Sequence, residues 1–164
     1  MKTREFIQHL LDADLICSLY KDRVAEAHSK SAIAEMVADA NGGEFVCSMI
    51  AHGNELDYED AEEYFKHHFN DRRIFEYAEG YTSQVYCNWS EDRILVKTAQ
   101  VTLLGCTDVD VFVPSHSCAV INIDPNTTAR ISAAGGSRVA CVYWGEPPVV
   151  EGAGARHVKL IKGE

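Results

Sequence analysis

Residues 99–145 decide the fold. Broken every ten residues they read AQVTLLGCTD, VDVFVPSHSC, AVINIDPNTT, ARISAAGGSR and VACVYWG. Written this way, the segments align. Ala99, Val109, Ala119, Ala129 and Val139 fall in one column. Val101, Val111, Ile121, Ile131 and Cys141 fall in the next, and Leu103, Val113, Ile123, Ala133 and Tyr143 in a third. Within each segment apolar and polar residues alternate, the period of a half-buried β-strand, so the three columns share one face. The turns repeat as well. Gly105, Ser115, Pro125, Gly135 and Gly145 are turn formers, and Thr107, Ser117, Thr127 and Ser137 carry a small hydroxyl.

Such regularity asks for a geometric cause. In an antiparallel meander, successive turns lie at opposite ends of the sheet and their lengths drift freely. In a β-roll or solenoid, equivalent turns stack, which holds both length and turn chemistry constant. The ten-residue period therefore favours a solenoid-like stack, with a regular antiparallel meander as the alternative. A calcium-binding roll is excluded, because its Gly- and Asp-rich repeat is absent. The β half extends from about Ile74 to Glu164. Glu146-Pro147-Pro148 through Gly154 reads as a loop, and Val158, Leu160 and Ile161 suggest one closing strand.

Upstream, the period changes to that of helices. Thr3 can cap a first helix with the stripe Phe6, Ile7, Leu10 and Leu11. A second carries Leu15, Ile16, Leu19, Tyr20, Val24 and Ala27. A third starts near Ser29, carries Ile33, Met36, Val37 and Ala40, and ends at Asn41-Gly42. A short fourth helix holds Phe45, Val46, Met49 and Ile50 before Gly53, and a fifth runs from the N-cap Asp57 to about Phe69. The sequence thus predicts an α+β chain: a five-helix array over residues 1–73, then a repetitive β domain over residues 74–164.

Charge divides along the same line. Net charge is −10. Up to Gly80 there are 17 acidic and 8 basic residues, a balance of −9; beyond it there are 8 and 7, a balance of −1. An acidic surface repels phosphates, and the longest basic run is Arg72-Arg73, so nucleic acid is not an expected partner. The opening residues carry Arg4, Glu5, His9, Asp12 and Asp14 where a signal peptide would be apolar, and no stretch approaches a membrane span. A cytoplasmic protein without membrane association is expected. Its six cysteines, none in a CxxC pair, are then reduced, and most read as small core residues.

Motifs that carry chemistry are sparse. GK[ST], HExxH and GxSxG do not occur, and Gly152-Ala153-Gly154 has His157 where a dinucleotide fingerprint needs glycine. Glu59, Glu63 and His67 lie four apart on the fifth helix, with His68 beside them, and could hold a divalent ion; their bland reading is a solvated face with i,i+4 pairing. Bridged metal bundles use Glu-x-x-His, which this spacing misses. Cys118 with His116 is the candidate nucleophile pair, since residues two apart on a strand share a face and an imidazole can activate a thiol. A surface cysteine beside a turn histidine competes with that reading. Phe112 and Trp144 fall opposite the regular apolar columns; open to solvent they would form a recognition surface, and packed against the helices they would be core. No cofactor is implied.

The stretches Lys2-Thr3-Arg4-Glu5-Phe6-Ile7, Asp39-Ala40-Asn41-Gly42, the Phe65 to Asn70 end of the fifth helix, Leu104-Gly105-Cys106 and Tyr143-Trp144-Gly145 resemble an uncharacterised family carried by prophages and mobile elements of gut bacteria. That resemblance implies an accessory protein of a phage or mobile element and transfers no catalytic residue. The expected function is a non-enzymatic interaction or structural module with a protein partner or self-association. The alternative is a small metal- or thiol-dependent enzyme, or a ligand-binding protein, with its site between the two halves.

Overall fold

The computed structural model describes residues 42–53, 58, 74–78, 81–89, 93–97, 99–105 and 107–164, with isolated positions 21, 22, 25, 26 and 32. The β part comprises β1 (Ile74–Ala78), β2 (Tyr81–Cys87), β3 (Arg93–Leu95), β4 (Ala99–Leu104), β5 (Asp108–Val113), β6 (Cys118–Ile123), β7 (Thr128–Ala133), β8 (Arg138–Tyr143), β9 (Val149–Glu151) and β10 (Val158–Lys162). They form a six-stranded sheet, β1-β2-β4-β6-β8-β10, and a four-stranded sheet, β3-β5-β7-β9. Every pairing is parallel except β1 with β2.

This topology is a two-sided β-solenoid. From β2 onward each strand is half a coil, and the chain changes sheet at every turn. Val101 therefore pairs with Ile121 and Ile121 with Cys141, while Val111 pairs with Ile131 in the opposite sheet. The ten-residue period of the sequence is the half-coil, and stacked positions lie twenty apart. The three apolar columns share one side because both sheets point them inward. Val101, Leu103, Val111, Val113, Ile121 and Ile131 are wholly inaccessible, and Ile123 nearly so. Burying one such side chain contributes about 1.5–3 kcal/mol. The antiparallel meander is thereby excluded.

The repeated hydroxyls close the turns. Thr107 Oγ1 donates to the Leu104 carbonyl at 2.7 Å, and Ser137 Oγ to the Ala134 carbonyl at 2.7 Å. Thr127 Oγ1 reaches Asp124 Oδ1 at 2.8 Å and the Gly105 carbonyl one coil below at 3.1 Å. Main-chain bonds carry the ladder through the corners, as with Thr128 N to Thr107 O and Arg138 N to Ser117 O, both 2.9 Å.

The five-helix array is not what the structure contains. One α-helix, α1 (Gly42–Ala51), stands complete among the described residues. The stripes expected for the other helices lie outside the described residues, apart from single helical positions. The expected fourth helix corresponds to α1, and it does end at Gly53. Its start differs from expectation. Gly42 and Gly43 open the helix, where Asn41-Gly42 read as the end of the preceding one. The cause is close approach: a Cβ on Gly43 would stand 2.0 Å from Thr102 Oγ1, so glycine lets the first turn rest on the sheet. The class is a mostly parallel β-solenoid with a helix laid on one side. The two sheets close the core on each other, so the apolar columns need no helical layer to bury them. The expected closing strand is present as β10, but the expected loop before it contains β9, which pairs with β7.

Candidate interaction surface

The two outer faces of the solenoid differ. On the six-stranded sheet, α1 packs over β4 and β6 and buries Val46, Cys47 and Met49 there. The sheet residues on that side include Ser83, Gln100, Thr102 and Asn122, and Asp124 follows in the turn after β6; all are buried despite their polarity. Among the described residues, the buried Thr102 Oγ1 and both amide atoms of Asn122 have no hydrogen-bond partner. Asp124, by contrast, is a saturated acceptor. Its Oδ2 takes bonds from Gly105 N at 2.8 Å and Tyr58 Oη at 2.7 Å, and its Oδ1 from Asn126 N at 3.0 Å and Thr127 Oγ1 at 2.8 Å. Burial, reinforced by the bond to Asp124, pushes the Tyr58 phenol well above its ordinary range. Burial also raises the Cys47 thiol, with the nearby Asp124 and Glu44 carboxylates adding to it.

The outer face of the four-stranded sheet carries straight rows across the coils. Strand register sets Arg93, Asp110, Arg130 and Val149 in one row, and Leu95, Phe112, Ser132 and Glu151 in the next. Arg130 pairs with Asp110 at 3.1 Å, Ser132 Oγ donates to Glu151 Oε1 at 2.7 Å, and the Arg93 guanidinium lies 4.7 Å over the Phe112 ring. Both members of the ion pair are about half exposed, so it contributes at most about 1 kcal/mol and chiefly orients the side chains. Leu95 and Val149 are 53% and 59% exposed. The result is a flat face of apolar and aromatic groups between charges of both signs.

Glu59, Glu63, His67 and His68 lie outside the described residues. Among the described residues no three His, Cys, Asp or Glu side chains are grouped to hold a metal ion. Cys118 is an exposed thiol at the start of β6. His116 is not on that strand: it occupies the turn before it with φ 60°, stacked below Gly136, so the shared strand face does not exist. Phe112 and Trp144 do lie opposite the apolar columns, but on different sheets. Phe112 stands on the four-stranded face, and Trp144 follows β8 in the other sheet, half-buried against Gly163.

Sequence reasoning passed over Arg93, Leu95, Asp110 and Arg130. A signal was available. Asp110 and Arg130 are opposite charges twenty apart on outward positions, the spacing that stacks them once the coil rather than the strand is taken as the repeat. No described helix is long and apolar enough to cross a membrane. Comparison with protein-family models, with curated proteins and with solved structures found no match.

Proposed function

We propose that this chain is a non-enzymatic interaction or structural module, acting in the cytoplasm as an accessory protein of a phage or mobile element, with the outer face of the four-stranded sheet as its contact surface for a protein partner. The observation that supports this reading most directly is the Leu95–Phe112 row, held between Arg93, Asp110 and Arg130 on a face that no described residue covers. A rigid scaffold sets these side chains at the spacing of parallel strands, so contact costs little ordering. Aromatic and arginine side chains beside exposed aliphatic ones are the groups that dominate protein–protein contacts. The mobile-element context comes from the resemblance noted above.

The test is tagged capture from the native host, with the wild type beside Phe112→Asp and Arg130→Glu. A partner retained in stoichiometric amount by the wild type and lost by both folded variants would support the reading. Retention by both variants would move the contact elsewhere. A partnerless wild type that turns over a substrate, or carries a metal, would replace it with the enzymatic alternative.

A further inference from the structure

The two ends of the solenoid are finished differently. At one end, the six-stranded sheet finishes with β1, antiparallel on β2. At the other end, no described strand pairs with the outer edge of β10. The last coil shows the consequence. Val101, Ile121 and Cys141 share one inward column and are wholly buried; Leu160 continues that column and is 40% exposed. The core is open at this end, and a row of main-chain donors and acceptors lies beside the opening.

We propose that β10 is a self-association edge: two copies of this chain pair antiparallel through it, about a two-fold axis at Leu160. Two observations select this occupant. First, Gly163 N bonds to Tyr143 O at 2.9 Å, and main-chain groups alternate along a strand, so the N–H and C=O of Val158, Leu160 and Lys162 point away from β8. In the symmetric register Leu160 faces Leu160, and Val158 faces Lys162, of the second copy. All are then hydrogen-bonded positions, and the edge forms roughly six bonds. Second, β10 contains two lysines, which on a solitary edge would discourage pairing. Here neither opposes the other: Lys159 faces Ile161 and Lys162 faces Val158, while the two exposed Leu160 side chains cover each other and extend the core across the junction. This edge is separate from the broad face proposed as the partner surface, so either can fail without the other.

Sedimentation equilibrium of the full chain tests the proposal. The expected species is about twice 18.2 kDa. Leu160→Lys sets like charges face to face at the axis and should leave a folded monomer, its fold checked by circular dichroism. Ile161→Lys sets a lysine opposite Lys159 twice and should weaken the dimer by about tenfold, whereas Ile161→Glu, opposite the same lysine, should not; tenfold corresponds to 1.4 kcal/mol. The Ile161 pair keeps the test decisive should Leu160→Lys misfold. A wild-type chain that stays at 18.2 kDa up to about 100 µM, far above a micromolar Kd, overturns the proposal. So does a dimer that neither Leu160→Lys nor Ile161→Lys disturbs.

Discussion

Replacing Asp124 by asparagine, a change of one atom, should destabilise the solenoid more than removing a neighbouring side chain. Asp124 is wholly inaccessible and accepts four hydrogen bonds, two at each oxygen. Each oxygen takes one bond from a main-chain N–H, Gly105 at Oδ2 and Asn126 at Oδ1, and neither donor can reverse its role. An asparagine must turn its NH2 towards one of them, so no orientation satisfies the site. In the better orientation one donor faces another, and the charge assistance of the remaining bonds is lost. A buried donor without its acceptor costs about 1–3 kcal/mol, and a bond to a charged group contributes about 1.5–3. The expected loss is about 2–3 kcal/mol, or a fall in Tm of about 5–10 °C for a chain of this size. Asp124→Ala should lose about 3–5 kcal/mol, below a simple sum because Thr127 Oγ1 keeps the Gly105 carbonyl as a second partner. Asn126→Ala gives the reference: its side chain makes one exposed bond to Tyr58 Oη, and its loss should cost under about 1 kcal/mol. Urea unfolding followed by circular dichroism measures all three. An Asp124→Asn loss below about 0.5 kcal/mol, or no larger than that of Asn126→Ala, would refute the view of Asp124 as an acceptor that only a carboxylate can satisfy.

Three further outcomes are expected. Gly43→Ala places a methyl group against Thr102 Oγ1 and should displace the first turn of α1 at a cost of about 1–3 kcal/mol, read as lost stability and faster amide exchange in Gly42–Ala51; unchanged exchange would show that α1 does not rest there. His116 and Gly136 occupy equivalent turn positions with φ 60° and 80°. His116→Gly should therefore stabilise or leave stability unchanged, and Gly136→Ala should cost about 1 kcal/mol or more because alanine resists that φ and meets the His116 ring at 3.3 Å; the reverse order in thermal melts would contradict the stacking. Among the thiols, exposed Cys118 should alkylate in the folded protein, whereas buried Cys47, Cys87 and Cys141 should react only on unfolding, as peptide mapping would reveal. Burial raises the Cys141 thiol from 9.0 to about 12, so the folded state keeps a proton that the unfolded chain releases. Its contribution is intact below pH 9 and is lost as pH rises towards 12, at about 1.4 kcal/mol per pH unit; a flat stability profile there would place Cys141 in contact with water.

The sequence alone determined the β part in considerable detail. A ten-residue recurrence of inward residues, turn formers and turn-closing hydroxyls admits few arrangements, because stacking is what forbids a change of length. Ala99 through Tyr143 could be assigned to strands, to one side and to a stack without any coordinates. Only the tertiary structure could show that the side was an interior shared by two sheets, since residues ten apart carry the same pattern whether they lie in one sheet or in two facing ones. The partners of Asp110 and Phe112 followed from that twenty-residue coil. β9 escaped notice because Pro147-Pro148, Gly152 and Gly154 punctuate its surroundings as a loop, and its pairing with β7 comes from the coil below. The Gly42-Gly43 pair escaped for a related reason. Glycine marks a helix end in local terms, and it opens α1 here because Thr102, far along the chain from Gly43, leaves no room for a side chain. Local chemistry sets what a segment can adopt; contacts between distant segments choose among those options, and one sequence does not display their distances.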